Sequence, residues 1–347
     1  MTKPESPLNQ DALQTVLGNE IENFGNIEAI KKFPGGQSNP TYKLTTDTGQ
    51  FVLRAKPPGK LLKSAHQVDR EFKVMQALEH TNVPVPKMHY LSEENSVIGR
   101  QFFVMEYLDG RIFWDPALSD PPDINNAQRT AIYDAMNAAL AALHDVDPKA
   151  VGLEDFGVPG NYFARQLDRW TKQYEASEVD RNENIRKLIT WLESNLPDDD
   201  GVSSLVHGDY RLDNMVFAND EPKVLGLLDW ELSTQGHPLA DLAYQCMQWR
   251  LPHKGGFRGL GGIDRTSLGI PTEREYVDAY CKRREIAKID NWFFYLAFCF
   301  FRLAAILQGV YKRSLDGNAS NPEKAKTYGM AVPILGQMAI SMLDDES

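Results

Sequence analysis

The apolar spacing of this chain changes character once, near Asp109-Gly110, and that change limits the folds open to it. Before it, short segments alternate or run apolar in the manner of strands. Residues 27–33, 41–46 and 51–55 read as strands, with the Asp47-Thr48-Gly49 turn joining the last two into a hairpin. Residues 64–80 read as a helix capped by Ser64, with Val68, Phe72, Met75 and Leu78 at helical spacing and Pro84 and Pro86 beyond its end. Residues 87–91 and 101–107 complete the strands. After Gly110 the spacing is helical over 126–144, 162–176, 184–195, 239–249, 273–285, 291–313 and 322–343, interrupted by a strand-rich island at 205–229. Residues 251–272 hold six glycines and two prolines without helical period, and read as a long surface loop of the kind that often carries function. The expectation is an α+β protein: a sheet-rich lobe with one inserted helix (1–108) and a helix-rich lobe with a small hairpin (109–347).

Length and composition agree. A chain of 347 residues suits two domains or one two-lobed domain and buries a large core without disulfides. A net charge of −11 argues against broad binding to nucleic acid or to an anionic membrane. The three cysteines, Cys246, Cys281 and Cys299, lack metal-ligand spacing and fit a reducing compartment. The first ten residues are polar, without an apolar signal segment. The apolar run 292–307 is interrupted by Arg302 and falls short of the roughly 20 residues a membrane span needs. The expected setting is the cytosol.

The stretch that carries chemistry is Leu205-Val206-His207-Gly208-Asp209-Tyr210-Arg211-Leu212-Asp213-Asn214. His-x-Asp followed, after four residues, by Asn is the spacing of a kinase catalytic loop. An Asp on a rigid loop can orient an attacking hydroxyl and accept its proton. An Asn five positions on can turn back to a metal ion. Asp229 follows at the end of an apolar strand, which sets a second hard oxygen beside Asn214 across a hairpin, and Mg²⁺ takes such oxygens together with nucleotide phosphates. His207 is expected to brace the loop. Upstream, Gly35, Gly36, Gln37, Ser38 and Asn39 lie between two strands, where glycines let backbone amides approach phosphates, although Gly-Gly alone equally makes a hairpin turn. Arg54 ends a strand and Glu71 sits in the next helix. A cation and a carboxylate so placed form either the pair that positions the α/β-phosphates or a surface salt bridge. The usual cation is Lys, and Arg binds phosphate with a different geometry.

Together, His207-Gly208-Asp209…Asn214 and Asp229-Trp230-Glu231 resemble the aminoglycoside phosphotransferase/choline-kinase-like branch of the protein-kinase-like fold, over the chain from about residue 24 to the last helices. The resemblance implies a bilobal kinase-like fold, ATP and Mg²⁺ as cofactors, and a small-molecule substrate. It implies Asp209 as the base, Arg211 stabilising the moving phosphoryl group, Asn214 and Asp229 on Mg²⁺, Arg54 and Glu71 positioning phosphates, and residues 35–39 covering them. Glu106 and Leu108 fall at the hinge whose backbone holds adenine. Asp241 falls where the family braces its catalytic loop.

Gly35-Gly36-Gln37-Ser38-Asn39-Pro40-Thr41, Val52-Leu53-Arg54-Ala55-Lys56-Pro57-Pro58-Gly59, Val104-Met105-Glu106 and Asp229-Trp230-Glu231-Leu232-Ser233-Thr234 are similar to the kinase-like domain of acyl-CoA dehydrogenase family members 10 and 11, which shares the Arg. That narrower resemblance implies a hydroxyacyl-CoA as acceptor and a separate acyl-CoA-dehydrogenase-like enzyme as partner. The alternatives are an aminoglycoside O-phosphotransferase and a catalytically silent nucleotide-binding protein. Retention of Asp209, Asn214 and Asp229 weighs against the silent reading, and the lack of Asp-Phe-Gly and Ala-Pro-Glu weighs against a protein kinase. Loop 251–272 carries Lys254, Arg258 and Arg265 against Asp264, and residues 54–63 hold four cations and no acid, which favours an anionic ligand. An acyl slot is expected from Trp249, Phe257, Leu260 or the aromatic stretch 293–301.

Overall fold

Strand-forming segments of the first third build one antiparallel sheet in the order β1-β2-β3-β5-β4: β1 Ile27–Lys32, β2 Thr41–Thr46, β3 Gln50–Ala55, β4 Met88–Leu91 and β5 Phe102–Glu106. The computed structural model describes residues 8–34, 39–59, 66–94, 96–120, 124–317 and 322–344. Period-two alternation sorts the side chains of β3 and β5. Leu53 and Ala55, with Phe102 and Val104, join a cluster with Leu13, Leu17, Ile21 and Phe24. Val52, Arg54 and Phe103 therefore fall on the opposite face, where Phe72 of helix α2 (Val68–Leu78) meets Phe103 with ring centroids 6.3 Å apart. Arg54 is thus directed at α2 by strand parity alone.

Leu13 and Leu17 belong to a helix the sequence reading did not anticipate, α1 (Gln10–Glu20), capped by the Asn9 side chain, which accepts from the Ala12 amide at 3.1 Å. Helix α2 starts at Val68, after Gln67, with no side-chain cap, and Ser64 lies outside the described residues.

The helices that follow are α3 (Asn126–His144), α4 (Tyr162–Ser177), α5 (Glu183–Ser194), α6 (Leu239–Met247), α7 (Glu273–Arg283), α8 (Trp292–Leu315) and α9 (Pro322–Asp344). Four short strands, β6 (Ser204–Val206), β7 (Met215–Phe217), β8 (Val224–Leu227) and β9 (Thr234–Gly236), pair antiparallel as β6 with β9 and β7 with β8. Residues 251–272 form a loop without strand or helix, as read. Helix α8 has 24 residues, longer than the apolar run suggested and long enough for a membrane span by length and composition. Yet 72% of its most apolar window is buried, and the helix packs on α4, α6 and α9, so its hydropathy is accounted for by core packing.

By contacts the chain falls into two compact units. The first comprises residues to Trp114, Lys149–Leu153 and Arg211–Ser233, and the second Asp115–Pro148, Glu154–Tyr210 and the chain from Thr234. This division is discontinuous, unlike a single cut after residue 108. The hairpin β7–β8 joins the sheet unit because Arg111 and Phe217 exchange backbone hydrogen bonds at 2.7 and 2.8 Å, and the Leu227 amide donates to the Pro84 carbonyl. Gly110 permits the approach, since a β-carbon there would lie 2.2 Å from the Phe217 carbonyl oxygen.

Candidate active site

In the sheet unit, Arg54 leaves β3 toward α2 and meets Glu71, with Nε 3.0 Å from Oε2, while its Nη2 engages Asp229 Oδ1. Glu71 is 1% exposed and Arg54 13%, so this is a buried pair and not a surface salt bridge. Asn39 is fully buried. Its amide donates to Glu71 Oε1 at 2.8 Å, and its Oδ1 lies 3.1 Å from His66 Nδ1. Asn39 therefore holds the carboxylate of the pair, whereas Gly35, Gly36, Gln37 and Ser38 lie outside the described residues.

Burial pushes Glu71 up to about 7 against the pull of Arg54, with Asp229 and Glu231 adding to the rise. Burial opposes the charge on Arg54, but Glu71, Asp229 and Glu231 outweigh it and raise its pKa further. Arg54 is thus a cation shared among several carboxylates.

Asn214 ends a one-turn 3₁₀ segment, Leu212–Asn214, immediately before β7. The Leu228 amide donates to the Asn214 carbonyl at 2.8 Å, so the hairpin sets Asn214 beside the segment that delivers Asp229. Asp229 sits at φ +66°, a left-handed conformation that Asp tolerates better than most residues. Behind it Trp230 is buried, donating from Nε1 to the Leu227 carbonyl at 2.9 Å, and Ser233 Oγ donates to the Trp230 carbonyl at 2.6 Å. These bonds fix the turn that aims Asp229. Arg211 Nη2 pairs with Asp213 at 2.7 Å. At the expected hinge, the Glu106 side chain accepts from the Lys87 amide at 3.1 Å, its own amide donates to the Lys87 carbonyl, and Leu108 follows β5 with its side chain against Gly226.

In the helical unit the His-x-Asp loop is held from α6. Asp241 accepts from the His207 amide at 2.6 Å and from the Gly208 amide at 2.8 Å, which is the bracing role expected of it. Gly208 sits at φ +82°, a conformation that favours glycine. His144 backs Asp241 through Nε2 at 3.4 Å, and its Nδ1 lies 2.7 Å from the Tyr280 hydroxyl. The Asp209 amide donates to His207 Nδ1 at 3.3 Å, so His207 braces the loop from within. The Asp209 carboxylate accepts from the Tyr244 hydroxyl at 2.8 Å, and Arg302 donates to the Gly208 carbonyl at 2.8 Å.

Tyr244 and Arg302 were not among the residues singled out from the sequence. Tyr244 follows Asp241 at i+3 on one helix face, and Arg302 is the charge that interrupts an apolar helix; both signals were readable. The chain passes from one unit to the other between Tyr210 and Arg211.

The expected acyl slot is mostly core. Trp249 and Leu260 are buried, as are Phe294, Phe298, Phe300 and Phe301 on α8. Arg265 is committed to the Trp249 and Leu260 carbonyls at 3.1 Å each, because a glycine-rich loop has few side chains with which to satisfy its own backbone. Exposed Lys254 and Arg258 and half-buried Phe257 stay available on the loop.

A five-stranded antiparallel sheet with a strand cation paired to a helix carboxylate, followed by a His-x-Asp loop and a metal-type hairpin, defines a kinase-like phosphotransferase fold. The chain belongs to the phosphotransferase enzyme family known by the aminoglycoside phosphotransferases, which it matches over residues 29–276. Mouse acyl-CoA dehydrogenase family member 10 is 48% identical over 90% of this chain and 29% of its own length. Human acyl-CoA dehydrogenase family member 11 is 42% identical over 95% of this chain and 43% of its own. The chain thus spans less than half of these relatives. The crystal structure of a Ralstonia eutropha protein, provisionally described as an aminoglycoside phosphotransferase, is 45% identical, with a TM-score of 0.86, covering 96% of this chain and 97% of that one.

Proposed function

We propose that this chain transfers the γ-phosphate of ATP to a hydroxyl of a hydroxyacyl-CoA. The observation that carries the kinase reading is the buried Arg54–Glu71 pair reaching Asp229, because a surface salt bridge would not be sealed by Asn39 or shared with a second carboxylate. Arg54 takes the role of positioning phosphates, and the Leu108 backbone that of meeting the base. Asp209 orients the attacking hydroxyl and accepts its proton, while Arg211 balances charge on the moving phosphoryl group.

Asn214 and Asp229 would hold Mg²⁺. Their amide and carboxylate oxygens are the hard donors it takes, and the hairpin already brings the two segments together. When bound, the ion neutralises phosphate charge.

The acceptor class is supported by identity to acyl-CoA dehydrogenase family members across nearly this whole chain and by the exposed cations Lys254 and Arg258, which suit an anionic CoA better than a polycationic drug. A separate acyl-CoA-dehydrogenase-like enzyme would act on the phosphorylated product, in the cytosol, where three buried free thiols persist. The Ralstonia likeness favours a second reading, an aminoglycoside acceptor. The test is a γ-phosphate transfer screen over hydroxyacyl-CoAs, their free hydroxy acids and aminoglycosides. Transfer to thioesters is expected, transfer to aminoglycosides alone selects the second reading, and no transfer to any alcohol removes both.

A further inference from the structure

Asp209 must present its carboxylate in one orientation to act on a hydroxyl, and what fixes that orientation lies in side chains outside the motif. Gly208 is clamped on both polar atoms: its amide donates to Asp241, and its carbonyl accepts from Arg302. The Tyr244 hydroxyl donates to Asp209 Oδ1 at 2.8 Å. Arg302 also lies over the Tyr244 ring, 5.5 Å from its centroid, and over the Trp170 ring at 5.9 Å.

Arg302 is 8% exposed, on a helix whose neighbouring positions are Phe and Ala, and no carboxylate among the described residues lies within ion-pair distance of it. Burying a guanidinium without a carboxylate is costly, and a packed apolar side chain would be the stable choice at such a position. The partners it has instead, the Gly208 carbonyl and the Tyr244 ring, are the two groups that set the backbone and the side chain of Asp209.

We propose that Tyr244 and Arg302 are positioning residues for Asp209: Tyr244 fixes the carboxylate rotamer, and Arg302 holds Gly208 and the Tyr244 ring in register. The proposal rests on the phosphotransferase reading for its kinetic consequence, while the geometry it invokes can be measured without turnover.

The experiment compares wild type with Tyr244→Phe, Arg302→Lys and Arg302→Met, each checked for a wild-type melting profile. Tyr244→Phe removes one hydrogen bond to a charged acceptor and keeps the ring. It should lower kcat by about tenfold or more and leave KM for ATP nearly unchanged. The Asp209 carboxyl carbon, observed by NMR in selectively labelled protein, should change its chemical shift between wild type and Tyr244→Phe whether or not an acceptor has been found. Arg302→Lys should retain most of the activity that Arg302→Met loses. A folded Tyr244→Phe with wild-type kcat and an unmoved Asp209 carboxyl signal overturns the proposal. An inactive wild type whose Asp209 carboxyl signal still responds to Tyr244→Phe sinks the kinase reading and leaves the positioning intact.

Discussion

At the scale of single residues, the proposed reaction assigns the proton to Asp209 and to Asp229 the charge that a metal would take. Asp209→Asn keeps the shape of the side chain and its contact to Tyr244 but cannot accept a proton. Phosphoryl transfer should fall by roughly 10²–10⁴-fold in a protein that melts normally and binds nucleotide, and near wild-type turnover would strip Asp209 of its role. Asp229 is engaged by Arg54, so a metal must compete with a guanidinium for it. Asp229→Ala should therefore weaken Mg²⁺-dependent ATP binding more than Asn214→Ala, since a carboxylate offers a full charge and an amide only a dipole. Calorimetry with and without Mg²⁺ decides this, and an unchanged Mg²⁺ dependence in Asp229→Ala would move the metal elsewhere. These residues were legible because the motif spacing is local in sequence. Asn39 was legible only as part of a glycine-rich loop, and its hold on Glu71 was not, because 32 residues separate the two and a sheet has to form before they meet.

At the scale of elements, α6 does the work of a bracket, with Asp241 and Tyr244 three residues apart on one face. The bracket has its own pH dependence. Burial keeps His144 below the ordinary imidazole range, overcoming the opposing pull of Asp241. Burial alone would raise Asp241, but the hydrogen bond and charge of His144, the charge of His207 and the Gly208 amide bring it below the ordinary carboxylate value. Both groups bind protons more weakly folded than unfolded, so the contribution of His144 is present above about pH 6.5 and that of Asp241 above about pH 3.9, and each is lost as pH falls further and the unfolded chain takes up protons first. Melting temperature should decline from pH 7 to pH 5, and His144→Gln should flatten that decline; an equally steep decline in the variant would place the proton uptake at other groups. The strands and most helices were readable because apolar periodicity is strong over their length. Helix α1 was not anticipated, since its buried residues are only Leu13 and Leu17 in an otherwise polar segment. Helix α2 begins at Val68, later than the start at residue 64 expected from the sequence, and Ser64 lies outside the described residues.

At the scale of the whole molecule, the chain divides into two compact units, with one boundary between Tyr210 and Arg211. A linear cut could not describe that division, because hairpin β7–β8 is late in sequence yet bonded to residues that follow the first sheet. The acceptor is a matter of this scale too, since it must be recognised by surface that the chemistry does not touch. Loop 251–272 spends Arg265 and His253 on its own backbone, with His253 Nδ1 3.0 Å from the Gly259 carbonyl. Its exposed charges are Lys254 and Arg258 against Asp264, a net cationic patch on a chain of net charge −11. A CoA acceptor carries phosphate charges remote from the hydroxyl, so cations that bind them lower KM without entering the transition state. Arg258→Glu should then raise KM for a hydroxyacyl-CoA at least several-fold, with little change in KM for ATP and in kcat, and Lys254→Glu should act in the same direction. The free hydroxy acid, which lacks those phosphates, should be a poorer acceptor for wild type and insensitive to Arg258→Glu. Equal use of thioester and free acid by wild type would exclude recognition of CoA by this loop, and it would do so without touching the assignment of Asp209, Asn214 and Asp229.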